Sequence, residues 1–216
     1  MTPRALTGAA ALLASAALVL SAGRPASGYA EAAPAGFSGG FGEASCHACH
    51  FDAEPDAGAG RLTIAGVPDR YTPGARYPVT VTLNRPGMKL GGFQLTARFK
   101  TDGAQAGSLA LEGTERERVR IDVQSDVQYA NQRRAGTSLA SSGTAAWTLI
   151  WTAPPDRGPV VFHVAANAAD GDETAEGDHV HTAAVESAPG RHLAPGPVQC
   201  WPKRHFTCGT PRWSWR

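Results

Sequence analysis

The chain has 216 residues, enough for one medium domain with tails and for a core that needs no metal or crosslink. Gly (25) and Pro (16) are abundant and charged residues make up only 18%, which is typical of short strands joined by turns rather than long helices. If residues 1–26 are cleaved off, Arg4 and Arg24 are lost, and 18 basic residues remain against 19 acidic ones. This charge gives no basic footprint for nucleic acid.

Residues 1–26 have the pattern of an export signal. Arg4 supplies a positive charge, and an apolar run without charge extends from Ala9 to Ala22 before several small residues. Because this run is shorter than the roughly 18 residues of a membrane-spanning helix, we expect a cleaved signal peptide. The protein is then periplasmic or secreted, and it meets a membrane only if the signal is left uncleaved.

Residues 27–60 are predicted to be a flexible lead-in, rich in Gly, Ala and Ser, that carries the motif Cys46-His47-Ala48-Cys49-His50. This string fits C-x-x-C-H, in which two thiols can each add to one vinyl group of the same porphyrin. The adjacent histidine, His50, is then held beneath the iron as the proximal ligand. The motif therefore predicts one covalent haem c, bound by Cys46, Cys49 and His50.

Other chemistries are open to the same cysteines. A Cys46–Cys49 disulfide needs only oxidation, which is favoured outside the cytosol, and it would be either redox-active or purely structural. Zinc could take both thiolates and a histidine, but it needs a further ligand. The haem reading is preferred because the motif and the exported location agree.

Residues 61–186 alternate between apolar and polar positions in many short runs, separated by turn residues such as Pro73 and Gly74. Period-two alternation of this kind predicts an all-β sandwich or barrel. The charged segment EGTERERVRIDV is predicted to form a solvent-facing edge strand. The clearest inward-facing sets are Val79, Val81 and Leu83; Phe93, Leu95, Ala97 and Phe99; Trp147, Leu149 and Trp151; and Val160, Phe162 and Val164.

Residues 187–216 form an irregular tail rich in Pro, Arg and Trp, without any acidic residue. Cys200 and Cys208 are expected to form a disulfide, as close cysteine pairs do in exported proteins. The enclosed loop, CWPKRHFTC, would display basic and aromatic side chains suited to a partner protein or an anionic surface. A poorly ordered tail is slightly preferred over such an interface.

Several segments together resemble a known family. In chain order they are the CxxCH motif, YTPGARYPVTVTL, GFQLTA (92–97), WTAP (151–154) and the stretch from Asn167 to Asp178. They are similar to the Reeler-type domain of exported bacterial proteins with an N-terminal CxxCH, and to the group called choice-of-anchor V, over residues 37–186. The resemblance implies an immunoglobulin-like β-sandwich. Members often carry a His where this chain has Gln132, so that residue's role cannot be carried over.

The residue above the iron would decide the function of such a haem, because Met raises its potential, a second His lowers it, and an open position admits small ligands. Met88 lies in a Gly-flanked loop, and His179 and His181 share one face of a predicted strand. Each is a candidate sixth ligand. An open position is the remaining alternative.

The acidic run from Asp170 to Asp178 could offer carboxylates to Ca²⁺. Its spacing does not match a known calcium loop. We therefore expect a solvated hairpin.

The leading interpretation is an exported monohaem c-type cytochrome-like protein that transfers electrons with an unidentified redox partner protein, rather than an enzyme. One alternative is a Reeler-like binding or adhesion module with Cys46–Cys49 as a disulfide. The other is a haem sensor or peroxidase-like protein with an open iron site.

Overall fold

The computed structural model describes residues 33–155 and 157–190, and these residues form two β-sheets that pack face to face. Among these residues, helical structure is limited to 3-10 turns at Cys46–Ala48 and Arg134–Thr137 and to the single-turn helix α1 (Glu115–Arg118). The strands are β1 (Arg61–Ala65), β2 (Arg70–Tyr71), β3 (Arg76–Asn84), β4 (Leu90–Phe99), β5 (Ser108–Ala110), β6 (Val119–Gln124), β7 (Val127–Gln132), β8 (Thr144–Thr152), β9 (Val160–Ala169) and β10 (His179–Pro189).

One sheet has four strands in the order β1-β3-β8-β5, and the other has six in the order β2-β10-β9-β4-β7-β6. The neighbours pair antiparallel, except that the short β2 runs parallel to β10. This arrangement confirms the predicted all-β sandwich.

The core lies between the inner faces of the two sheets, where the predicted alternation holds. Trp147 and Trp151 of β8 are fully buried. The Trp147 ring stacks on Phe93 with centroids 4.4 Å apart, and the Trp151 ring meets Phe162 edge-on at 4.9 Å. Their indole N–H groups donate to the carbonyls of Gly136 and Ala106, at 2.8 and 2.9 Å, so neither polar atom is left unpaired in the core.

The sequence pattern does not predict two of the strands, β2 and β7, and the reasons differ. β2 has two residues, too few for any periodicity. In β7, the four residues from Tyr129 to Gln132 are all buried, so polar and apolar side chains lie inside together and the alternation disappears. The charged segment before β7 does contain the edge strand β6, as predicted, but its first charged residues form α1 instead.

The predicted signal peptide (1–26) and the expected disulfide between Cys200 and Cys208 lie outside the described residues. Within residues 33–155 and 157–190, no helix is both long and apolar enough to cross a membrane.

Leu149 tests the assignment of the core. Its side chain is 1% exposed, so Leu149→Ala removes buried methyl groups and leaves a cavity. We expect a loss of about 3 kcal/mol in the free energy of unfolding, measured by urea denaturation. Val123, on the edge strand β6, is 65% exposed, and Val123→Ala should cost under about 0.5 kcal/mol. Equal losses in the two variants would contradict the assignment.

Candidate functional site

Residues 33–45, expected to be flexible, pack across the outer face of the six-stranded sheet. The backbone N–H of Phe37 donates to Gln94 Oε1 at 2.5 Å, and Gln94 Nε2 donates to the carbonyl of Pro34 at 2.7 Å. Ser38 is 1% exposed. Small residues that suggested flexibility instead allow the backbone to lie close to the sheet, as at Gly40, where a Cβ would come within 2.2 Å of the His163 ring.

A buried ionic group, which we call the Glu43 cluster, anchors this segment just before the motif. It consists of Glu43, Arg98 of β4 and Tyr129 of β7. Arg98 donates to the Glu43 carboxylate and to the Tyr129 hydroxyl, which in turn donates to Glu43. Ser38 Oγ donates to the other carboxylate oxygen at 2.7 Å. Burial, and then Glu43, raise the pKa of Tyr129 to about 12, so its hydroxyl stays protonated as a donor.

The three motif residues lie on one tight turn. Ser45 Oγ accepts from the N–H of His47 at 3.2 Å and caps the 3-10 helix Cys46–Ala48. The N–H groups of Cys49 and His50 both donate to the carbonyl of Cys46, at 3.2 and 3.0 Å. Cys46 and Cys49 are free thiols, and burial raises the pKa of Cys46 to about 12. The disulfide expected in one alternative is thus absent between these two described residues.

His50 is oriented by a buried carboxylate that lies one residue before the last strand. His50 Nδ1 lies 2.7 Å from Asp178 Oδ2, and the Asp178 side chain is 2% exposed. Asn167 Nδ2 donates to the same oxygen at 2.8 Å, and the N–H of Asp170 donates to Oδ1 at 3.1 Å. With Nδ1 turned toward the carboxylate, Nε2 remains as the ring nitrogen that could bind a metal.

Cys46, Cys49 and His50 lie together on the wall of a half-enclosed cavity of about 730 Å³ on the outer face of the six-stranded sheet. The lead-in supplies one wall, and β4, β9 and the turn after β7 supply the others. The apolar lining residues are Ala33, Pro34, Phe37, Leu90, Phe93 and Ala169, and the polar ones include Gln94, Gln132, Arg134, Thr137, Asn167 and Asp178. A cavity of this size and mixed lining suits an organic cofactor or ligand.

The candidate sixth ligands do not line this cavity. Met88 is 5% exposed and belongs to the core between the sheets. His179 and His181 pair with Ala168 and Ala166, which face the core. Because side chains alternate along a strand, both histidines lie on the opposite face of the sheet from Asn167, which does line the cavity.

Solved structures to which the chain is similar are a human F-spondin reeler domain, the Reelin-N domain of F-spondin and a cohesin module of a Clostridium perfringens family 33 glycoside hydrolase. Their identities are 17%, 18% and 11%, and their TM-scores 0.42, 0.43 and 0.42. The matches cover 63%, 64% and 60% of this chain and 93%, 92% and 96% of those chains. No family model and no curated protein matches the chain. Similarity at these values says nothing about a ligand or partner.

Sequence reasoning missed Asp178 and Asn167 as site residues. Asp178 was assigned to a solvated acidic hairpin, and most of that run is exposed as expected, but Asp178 itself is buried. One available signal was position, since Asn167 is polar at an outward position of a strand whose other face is wholly apolar. Gln132 also lines the cavity.

The zinc alternative gains no support from the geometry. Across residues 33–155 and 157–190, no group of three or more His, Cys, Asp or Glu side chains is arranged to hold a metal ion.

Glu43→Gln tests whether the Glu43 cluster holds the lead-in on the sheet. The substitution leaves the 7%-exposed Arg98 without its carboxylate, which should cost about 3–5 kcal/mol in the free energy of unfolding and speed proteolysis within residues 33–60. The matched control is Glu112→Gln, because Glu112 pairs with Arg76 at the surface, where both side chains are more than half exposed. We expect less than about 1 kcal/mol there. If both variants are equally stable and equally resistant to protease, the anchoring role is refuted.

Proposed function

We propose that this chain is an exported c-type haem protein that exchanges single electrons. One haem is attached through thioether bonds to Cys46 and Cys49 and ligated by His50. The observation that carries this proposal is that all three residues lie on one turn at the wall of a cofactor-sized cavity, with both thiols free. Export to the periplasm or beyond is part of the proposal and rests on the signal sequence.

The donor set suits the attachment chemistry. Each S–H adds across a vinyl C=C, with sulfur bonding one carbon and hydrogen the other, so no oxidant or reductant is consumed. The reaction requires thiols, as Cys46 and Cys49 are here, and not a disulfide. An imidazole whose Nδ1 is held by a carboxylate has Nε2 available for iron.

The cavity's size and lining also suit a porphyrin. Phe37 and Leu90 provide apolar surface, and the volume of about 730 Å³ lies within the roughly 300–1,000 Å³ of typical ligand sites. At Gly92 the wall has no side chain, and a Cβ there would come within 3.1 Å of the Gln132 amide. The absence of a side chain at Gly92 thus leaves this part of the cavity open.

Bound there, the haem would supply a site that gains and loses one electron. The chain's own residues do the rest: the lead-in and β4 exclude water from one side, and Asp178 orients His50. The open side of the cavity leaves an edge accessible to a redox partner protein.

A second candidate is a Reeler-like binding or adhesion module. It follows from the resemblance of the sequence to the Reeler-type domain over residues 37–186. In this version the Cys46–Cys49 pair would be oxidised, and the basic tail would contact a partner or an anionic surface. Intact mass separates the two functions, since covalent haem adds its full mass and a disulfide removes two hydrogens.

A third candidate is a haem sensor or peroxidase-like protein with an open iron position. The placement of Met88, His179 and His181 away from the cavity favours this reading over a carrier ligated by one of them. Adding CO to the reduced protein separates them, because an open site binds CO readily and a filled sixth position resists it.

The haem proposal is tested by producing the full chain with and without the c-type maturation system. With it, we expect a red protein whose Soret absorption stays with the polypeptide through acid–acetone extraction. The double variant Cys46→Ser/Cys49→Ser should lose all covalent haem. The control Cys200→Ser/Cys208→Ser alters the other cysteine pair and should keep it.

Two outcomes would overturn the proposal. One is a colourless protein after production with the maturation system. The other is pigment that extraction removes completely from the unaltered chain.

A further inference from the structure

The contact between His50 and Asp178 does more than hold the turn in place, because it also fixes the tautomer of the His50 ring. A carboxylate only accepts hydrogen bonds, so at 2.7 Å from Asp178 Oδ2 the Nδ1 of His50 must carry the proton. Nε2 then holds the lone pair. The pair therefore selects one tautomer of the ring before any metal is present.

The Asp178 carboxylate is itself fixed in place. Asn167 Nδ2 donates to Oδ2 at 2.8 Å, and the backbone N–H of Asp170 donates to Oδ1 at 3.1 Å. Asn167 Nδ2 also lies 3.2 Å from His50 Nδ1, but both atoms are donors in this tautomer, so the amide serves the carboxylate. Both oxygens of this buried carboxylate therefore have a hydrogen-bond donor beside them.

A purely structural role for Asp178 explains the closure of its loop but does not explain its contact with His50. The bond from Asp170 N to Oδ1 closes the loop between β9 and β10, as an Asp at a hairpin often does. Oδ2 accepts from Asn167 of β9, which also ties the two sides of this loop together. Its other neighbour, His50, lies outside the hairpin and lines the cavity.

We propose that Asp178 is a positioning residue that sets the electron-donating strength of the proximal histidine and lowers the reduction potential of the haem. This inference rests on the proposed haem function. A fixed negative charge hydrogen-bonded to Nδ1 gives the imidazole partial imidazolate character, which strengthens donation from Nε2 and favours ferric over ferrous iron. Asn167 supports the effect by holding the carboxylate in line with Nδ1.

The first experiment measures the haem's reduction potential by spectroelectrochemistry in the full-length holoprotein and two variants. Asp178→Asn keeps the shape and removes the charge next to His50. Its reduction equilibrium should shift toward ferrous iron by about tenfold, which is about 59 mV for one electron. Asp172→Asn removes the same charge from an exposed position of the same loop, where the carboxylate bonds only within the loop, and should shift the equilibrium much less. Equal shifts in the two variants would overturn the inference.

The second experiment needs neither haem nor a variant that folds. ¹⁵N NMR of the full chain made without the maturation system reports the tautomer of neutral His50. We expect Nδ1–H to dominate, and a dominant Nε2–H form would overturn the inference. Failure of the proposed function and failure of this inference are distinguishable. If the chain never acquires haem, the proposed function is wrong, and the tautomer of His50 still decides whether Asp178 orients the ring.

Discussion

The site depends on the covering of a sheet face that a two-layer sandwich would ordinarily leave in water. On β4, Phe93, Leu95 and Ala97 face the core, while Gln94 and Arg98 on the other face are also buried. Burying an arginine is favourable only when it is paired and its donors are satisfied. The Glu43 carboxylate, brought by the lead-in, meets that requirement and so ties residues 33–45 to the sheet.

This anchoring holds the turn that carries Cys46, Cys49 and His50 next to the residues of the sandwich that contact it. Glu43 lies three residues before Cys46, so the turn carrying both cysteines has little freedom once the Glu43 cluster forms. Strand β9 and the loop that follows it, distant in sequence, then supply Asn167 and Asp178 to His50. Segments distant in sequence thus build one wall, and the cavity exists only when the lead-in and the sandwich are folded together.

Much of the sandwich could be predicted from sequence, because apolar and polar residues alternate along strands that are buried on one face only. β3, β8 and β9 follow the inward pattern of Val79, Trp147 and Phe162. Alternation fails where both faces are covered, as in β7, and composition misleads where small residues serve close packing, as at Gly40.

The site divides in the same way. Cys46, Cys49 and His50 are adjacent in sequence and need no knowledge of the fold. Asp178 could not be recognised, because its burial and its contact with His50 depend on how β10 aligns with β9. The sequence predicts that His179 and His181 share one strand face, but it does not predict which way that face points. Strand register places it toward the core, and register is a long-range property of the sheet.

The central claim is that the two motif sulfurs join a porphyrin on this face of the sandwich. Tandem mass spectrometry of the proteolytic peptide containing Cys46–His50, from protein matured in the periplasm, tests it most directly. We expect one haem mass on that peptide, with fragments that place it on both cysteines. A peptide whose cysteines are unmodified, or linked to each other, would contradict it.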